Sequence, residues 1–297
     1  MSFSEQIKYQ FKNGQAHILL IYINIAIFIL VKAIEIVCKL FLLKNFDLSS
    51  YMAMPFSLHM LGAKFWTPIT YMFFHEDFLH ILFNMLWLFW FGIMFLAYFS
   101  RKQLISVYVF GGLFAAAFYI LSFNTIPYYQ LHASPDSILL GASGAIMTLI
   151  VAVSAWQPNS EIRLFLLGAI KLKYIAIFVF LISFFGLTGG NAGGEMAHIG
   201  GAVAGLLFVF FLKKKNIDIT IWITYIIDWV TTIFSRRKKP KLKYTKPDYS
   251  RMTDAEYNMN KAQNIEEIDR ILDKIKASGY ESLTAAEKKF LFSQGTK

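Results

Sequence analysis

Apolar residues in this chain fall in long blocks, not in short alternations. Six blocks, at 18–43, 78–99, 104–123, 139–156, 164–186 and 196–212, reach or approach the roughly 20 residues that one helix needs to cross a bilayer. The pattern predicts six membrane-spanning helices. The fourth and sixth blocks are short and rich in Gly, Ala and Ser, residues that let helix backbones approach closely, so these two are expected at the centre of the bundle. The first block is too long for a cleavable signal peptide and lacks a small-residue cleavage site. A seventh run, 217–234, carries Asp218 and Asp228 between lysine-rich flanks. It reads as an amphipathic helix lying at the membrane surface rather than a further span.

Composition agrees with the blocks. Of 297 residues 56% are apolar and only 16% charged, against about 25% charged in soluble domains. A single cysteine, Cys38, excludes a disulfide framework and a cysteine-cluster metal site. Of the net charge of +10, most sits in 213–247, with ten Lys or Arg against two acidic residues. That segment reads as a juxtamembrane anchor for anionic lipid on the cytoplasmic face, in preference to a nucleic-acid site. Loops on the side of both predicted termini hold most of the remaining lysines and arginines. The other side offers Lys44 and Lys64. Both termini are therefore expected in the cytoplasm, with the protein multi-pass in the cell (inner) membrane. The expected organisation is all-α: a six-span bundle over 1–212, the basic juxtamembrane segment over 213–247 and a small soluble helical region over 248–297. The first external loop, 44–77, is long enough to need structure of its own. In the last region, Thr253-x-x-Glu256 and Thr284-x-x-Glu287 have the form of capping boxes. Ile265, Ile268, Ile271, Leu272 and Ile275 keep helical spacing up to Gly279.

Polar groups inside spans are functional candidates, because lipid offers them no partners. His80 and Asn84 begin the second span, Ser143 the fourth and His198 the sixth. Even-numbered spans run in one direction, so all four groups share a shallow depth on the face opposite the lysine cluster. Ser143, in Gly141-Ala142-Ser143-Gly144, stands at a helix start, where free N–H groups favour developing negative charge. It needs a neighbouring base to act as a nucleophile, and His198 is suited to that role. His80 and Asn84, four apart, share a helix face and can donate to an oxyanion. Gly141, Gly144, Gly201 and Gly205 are expected to pack helices closely. Taken singly, such a serine is more often packing glue and such a histidine a satisfied interhelical contact. Their common depth favours chemistry.

Two rival motifs fail. In His75-Glu76-Asp77-Phe78-Leu79-His80 the histidines are five apart, roughly 140° around a regular helix, where a zinc-protease pair needs about 40°. No metal and no cofactor is expected. Gly141-Ala142-Ser143-Gly144-Ala145 lacks the second glycine of the hydrolase elbow and is expected to have no strand before it, which excludes a soluble α/β-hydrolase.

Three stretches together resemble the rhomboid intramembrane serine proteases. They are Trp66-Thr-Pro-Ile-Thr-Tyr-Met-Phe-Phe-His75 continuing to His80-Ile-Leu-Phe-Asn84, then Gly141-Ala-Ser143-Gly144, then Ala197-His198-x-x-Gly201-x-x-x-Gly205. The resemblance covers most of 15–212. It implies a Ser143–His198 dyad with no third acid, an acyl-enzyme intermediate, and an oxyanion held by His80, Asn84 and the Ser143 backbone N–H. It also implies single-span membrane proteins as substrates, cut near the outer face, with 186–195 as a lid. Two positions depart from the family pattern. Thr67 follows Trp66 where an arginine is usual, and Met147 stands where an aromatic commonly stacks beneath the histidine. The other function classes are a non-proteolytic rhomboid-like protein that binds membrane clients and a transporter working through Lys32 and Glu35.

Overall fold

The computed structural model describes residues 16–42, 47–134, 137–164, 168–234 and 254–294, which separate into two compact units, 1–235 and 236–297. The Lys44 end of the first loop, the segment 235–253 and the Thr253-x-x-Glu256 motif lie outside the described residues.

Counting helices longer than eight residues, the first unit contains α1 (Ala16–Leu40), α2 (Phe78–Leu96), α3 (Arg101–Thr125), α4 (Ser143–Trp156), α5 (Leu172–Phe185), α6 (Ala192–Lys215) and α7 (Ile221–Phe234). Among the described helices, α1, α2, α3 and α6 are long and apolar enough to cross a membrane, while α4, α5 and α7 are shorter apolar helices. This is an all-α polytopic membrane fold.

Local chemistry sets the helix starts. The Asp77 side chain caps α2 by accepting from the His80 N–H at 2.8 Å. Ser100 and Gln103 form a reciprocal capping box on α3. At the far end of α6, Asn216 takes a left-handed conformation and its N–H closes back onto the Phe211 carbonyl. Lys213, in that last turn, donates to the Ala155 and Trp156 carbonyls at 3.1 and 2.7 Å and so also caps the end of α4.

Helix α4 is the centre of the unit: every residue from Gly144 to Ser154 is buried. Its 14 residues rise only about 21 Å, less than a ~30 Å hydrocarbon core. Neighbouring helices cover it, so its irregular approach is shielded from lipid. The expected span 139–156 therefore begins at Ser143. Ile138–Leu139 instead forms strand β2, paired antiparallel with β1 (Met54–Pro55) of the first external loop. Gly141 at φ +114° interrupts any helix before Ser143.

The expected span 164–186 is also corrected. Glu161–Leu164 (β3) and Gly168–Lys171 (β4) form an antiparallel hairpin, and α5 starts only at Leu172. Periodicity does not separate a short apolar strand from a helix, and Gly168 at φ +72° breaks the run. Helix α6 is longer than the expected 196–212. It starts at Ala192, so the glycine-rich connection is 186–191 and Glu195 belongs to the first helical turn.

The first external loop has structure of its own, as short helices at Leu48–Met52, Leu58–Ala63 and Thr67–Thr70. Thr67 is fully buried and donates to the Lys64 carbonyl at 2.8 Å. Trp66 packs on Tyr51, with ring centroids 5.0 Å apart.

Helix α7 and the turn before it meet α3: Asp218 of the turn pairs with Gln103 at 2.9 Å, and the helix adds Ser106–Thr224 at 2.8 Å and Lys102–Asp228 at 2.7 Å.

The second unit contains α8 (Asp254–Ser278) and α9 (Ala285–Gln294). Gly279, at φ +77°, ends α8. Thr284 and Glu287 exchange the reciprocal bonds of a capping box at the start of α9. Ile271 and Leu283 are buried, whereas Ile265 and Leu272 of the apolar stripe remain exposed.

Candidate active site

The first turn of α4 carries Ser143 and no side chain caps it. Its leading N–H groups are therefore free to face a ligand. Gly141 was expected to pack helices, but it lies outside α4. Its N–H donates to the Tyr71 carbonyl at 3.0 Å, and a Cβ there would sit 2.7 Å from His80 Nε2. Its role is to turn the chain and leave room for the His80 ring.

The other three glycines do bring helices together. A Cβ on Gly144 would lie 2.7 Å from the Ala115 Cβ of α3 and 3.3 Å from the Ala197 carbonyl oxygen of α6. One on Gly205 would lie 2.6 Å from the Thr148 carbonyl oxygen, and one on Gly201 would collide with the Gly144 carbonyl. Thr148 Oγ1 bridges the same seam, 2.9 Å from the Gly201 oxygen and 3.1 Å from that of Gly144. Ser143 and His198, the neighbours of Gly144 and Ala197, are thereby brought to one place.

That place is a cavity of about 1210 Å³. Ser143, His198, His80 and Asn84 all line it, and so do Lys32, Glu35 and Asp77. Lys32 and Glu35 pair at 2.9 Å, and Glu35 also accepts from Ser49 at 2.8 Å. No hydrogen bond joins Ser143 Oγ to His198 among the described residues; such contacts often tighten only when substrate binds. Asn84 Nδ2 donates one hydrogen to the His80 carbonyl at 2.9 Å, which leaves its second hydrogen for another acceptor.

His198 is held through one ring nitrogen. Its Nδ1 lies 2.9 Å from Ser183 Oγ of α5 and 3.1 Å from Glu195 Oε2, one turn earlier on α6. The rhomboid resemblance implies no third acid, and neither partner stands out in the sequence as a site residue. The i, i+3 spacing of Glu195 to His198 is the signal that was there to read. Met147 packs with Val151 and Ala202, against Phe180.

His75 was also missed as a site element. It lies in the loop before α2, so the regular-helix spacing does not apply to it, and its ring meets that of His80 edge-on at 5.1 Å. Its Nε2 lies 3.5 Å from the Ala142 N–H, behind the serine turn. Burial, reinforced by the His80 imidazole, pushes the His75 pKa down to about 3. Among the described residues no group of three His, Cys, Asp or Glu side chains is placed to hold a metal. The connection 186–191 is pinned from outside: Tyr129 Oη donates to the Leu187 carbonyl at 2.8 Å and Tyr128 Oη to that of Thr188 at 3.2 Å.

Fold and site together define a multi-pass helical membrane protein with a serine and a histidine on one cavity. The rhomboid domain model matches residues 62–215, just over half of the chain. The chain belongs to the rhomboid family, whose members are generally intramembrane serine proteases. A family of unknown function (DUF6576) matches residues 252–293. No curated protein matches the chain.

Proposed function

We propose that the protein is an intramembrane serine endopeptidase. The observation that carries this reading is that Ser143 and His198 line one cavity, across a seam where Gly144 meets Ala197 and Thr148 meets Gly201. Ser143 Oγ attacks a substrate carbonyl while His198 Nε2 accepts the hydroxyl proton. The tetrahedral oxyanion is held by the Ser143 backbone N–H, the second Asn84 hydrogen and the His80 ring. Collapse passes the proton from His198 to the leaving amine and leaves an acyl-enzyme. Water activated by the same histidine then hydrolyses it. The charged Lys32, Glu35 and Asp77 lining the cavity support entry of that water.

Substrates are single-span membrane proteins cut near the outer face. A peptide bond in an intact helix cannot offer its carbonyl to a nucleophile, so the cut falls where the substrate helix unwinds; the rhomboid resemblance implies a small residue before it. The lid is 186–191. The orientation that follows from the lysine distribution puts both termini and the basic segment 213–247 in the cytoplasm of the inner membrane, against anionic lipid. Helix α7 then lies along that surface. Its exposed Trp222, Tyr225 and Trp229 support this reading.

The test is cleavage of a single-span reporter in proteoliposomes. Wild-type chain is expected to cut it, and Ser143→Ala and His198→Ala are expected to lose the cut. Processing that survives Ser143→Ala overturns the reading. Wild-type chain that binds the reporter without cutting it favours a client-binding role instead.

A further inference from the structure

We propose that Glu195 is a positioning residue for His198, fixing the imidazole proton on Nδ1 so that Nε2 is free to act as base toward Ser143. This rests on the proposed Ser143–His198 chemistry and deepens it.

Nδ1 of His198 has two partners, Ser183 Oγ at 2.9 Å and Glu195 Oε2 at 3.1 Å. They are not equivalent. A serine hydroxyl can donate or accept. Donating to Nδ1, it would select the tautomer with the proton on Nε2, and the ring could not then take a proton from Ser143. An ionised carboxylate only accepts. Beside Ser183 it draws the proton onto Nδ1. With the proton on Nδ1, Ser183 Oγ at 2.9 Å turns a lone pair toward the ring. With Glu195 present the three groups have one consistent proton arrangement; with a neutral side chain there, they have two.

The carboxylate has a built place. The side chains of Glu195 and His198 are only 17% and 21% exposed. Ser183, from the last turn of α5, is 2% exposed. Gly186 leaves the room: a Cβ there would lie 2.9 Å from Glu195 Cγ. Two helices and the turn between them thus enclose one carboxylate, within the apolar part of the chain where an ionisable group is costly. Its seat in the first turn of α6 suits a negative charge. Met147 sits at the position expected to steady the ring from below, but it packs with Val151 and Ala202. The contacts that orient His198 come from Glu195 and Ser183.

The test uses the full chain reconstituted with a single-span reporter. Glu195→Gln is expected to leave KM within about twofold and to lower kcat by roughly 10²–10⁴, as loss of a tautomer-fixing acid does elsewhere. Glu195→Asp is expected to recover at least about tenfold of that loss, and Ser183→Ala to cost less than about tenfold. A kcat for Glu195→Gln within about threefold of wild type overturns the inference. So does a loss that Glu195→Asp fails to recover while its KM stays at the wild-type value. A second readout needs no turnover. In chain carrying 15N-labelled histidine, with the His198 signal assigned by its disappearance in His198→Gln, wild type is expected to show Nδ1 protonated. Glu195→Gln should show a raised share of the Nε2-protonated form. Identical tautomer populations in the two chains overturn the inference. Should Ser143→Ala cleave as wild type does, the nucleophile reading falls, and the 15N spectrum still decides the role of Glu195.

Discussion

Thr148 Oγ1 lies 2.9 Å from the Gly201 carbonyl oxygen and so ties the helix that carries Ser143 to the helix that carries His198. The bond is short-range, yet it sets the distance between two groups five residues before it on α4 and three before it on α6. The glycine is as important as the hydroxyl, because a side chain at 201 would enter the Gly144 backbone. Gly201→Val is therefore expected to separate the helices. It should abolish reporter cleavage and cost upward of about 3 kcal/mol in detergent unfolding, at the top of the overpacking range. Thr148→Val keeps the shape and loses one bond, at a cost of about 1 kcal/mol. Equal effects of the two substitutions would contradict this view of the seam.

His75 makes folding sensitive to acid. Its pKa falls from 6.5 to about 3 because the ring is buried. The folded chain keeps it neutral while the unfolded chain takes up a proton, so its contribution to stability is complete above pH 6.5. It is lost progressively as the pH falls toward about 3. Thermal midpoints in detergent micelles should drop across that window, and less steeply in His75→Gln. Parallel slopes in the two chains would contradict this role.

Helix α7 exposes Trp222, Tyr225 and Trp229. In liposomes, with the chain's other four tryptophans replaced by Phe, their fluorescence is expected to be quenched by lipids brominated near the headgroup. Bromines at the chain ends should quench it less. Stronger quenching from the bilayer centre would make α7 a span.

In the second unit, Glu287 accepts from the Thr284 N–H at 2.7 Å and pairs with Lys274 at 2.9 Å. The Thr284 N–H first, then Lys274, holds its carboxyl down to about 2. This support is present above the ordinary value of 4.5 and is lost as the pH falls from there toward about 2. Glu287→Gln should speed amide hydrogen exchange over 285–294 at neutral pH. The difference from wild type, after correction for intrinsic rates, should fade across that acid window. A difference that persists unchanged at the lowest pH would contradict it.

Much of this was legible in the sequence. Blocks of apolar residues located most of the helices, and His80, Asn84, Ser143 and His198, singled out as polar groups inside apolar blocks, line one cavity. The hairpin at 161–171 was not legible, because an apolar stretch bounded by Arg163 and Lys171 satisfies a short strand pair as well as the start of a span. Gly141 was misread as a packing residue, since only coordinates reveal a positive φ. Ser183 and Glu195 were hidden for a further reason. A serine late in an apolar run and an acid in a glycine-rich stretch look like boundary residues until two helices fold them onto one imidazole. His75 was set aside by a helical-wheel argument that does not hold for a residue in the loop before the helix.

The most direct measurement treats membranes containing the full chain with a fluorophosphonate probe and locates the adduct by mass spectrometry. An activated nucleophile predicts a single adduct on Ser143 in the wild-type chain, absent from folded His198→Ala. An adduct on a different serine, or undiminished labelling of Ser143 in His198→Ala, would contradict the proposed chemistry.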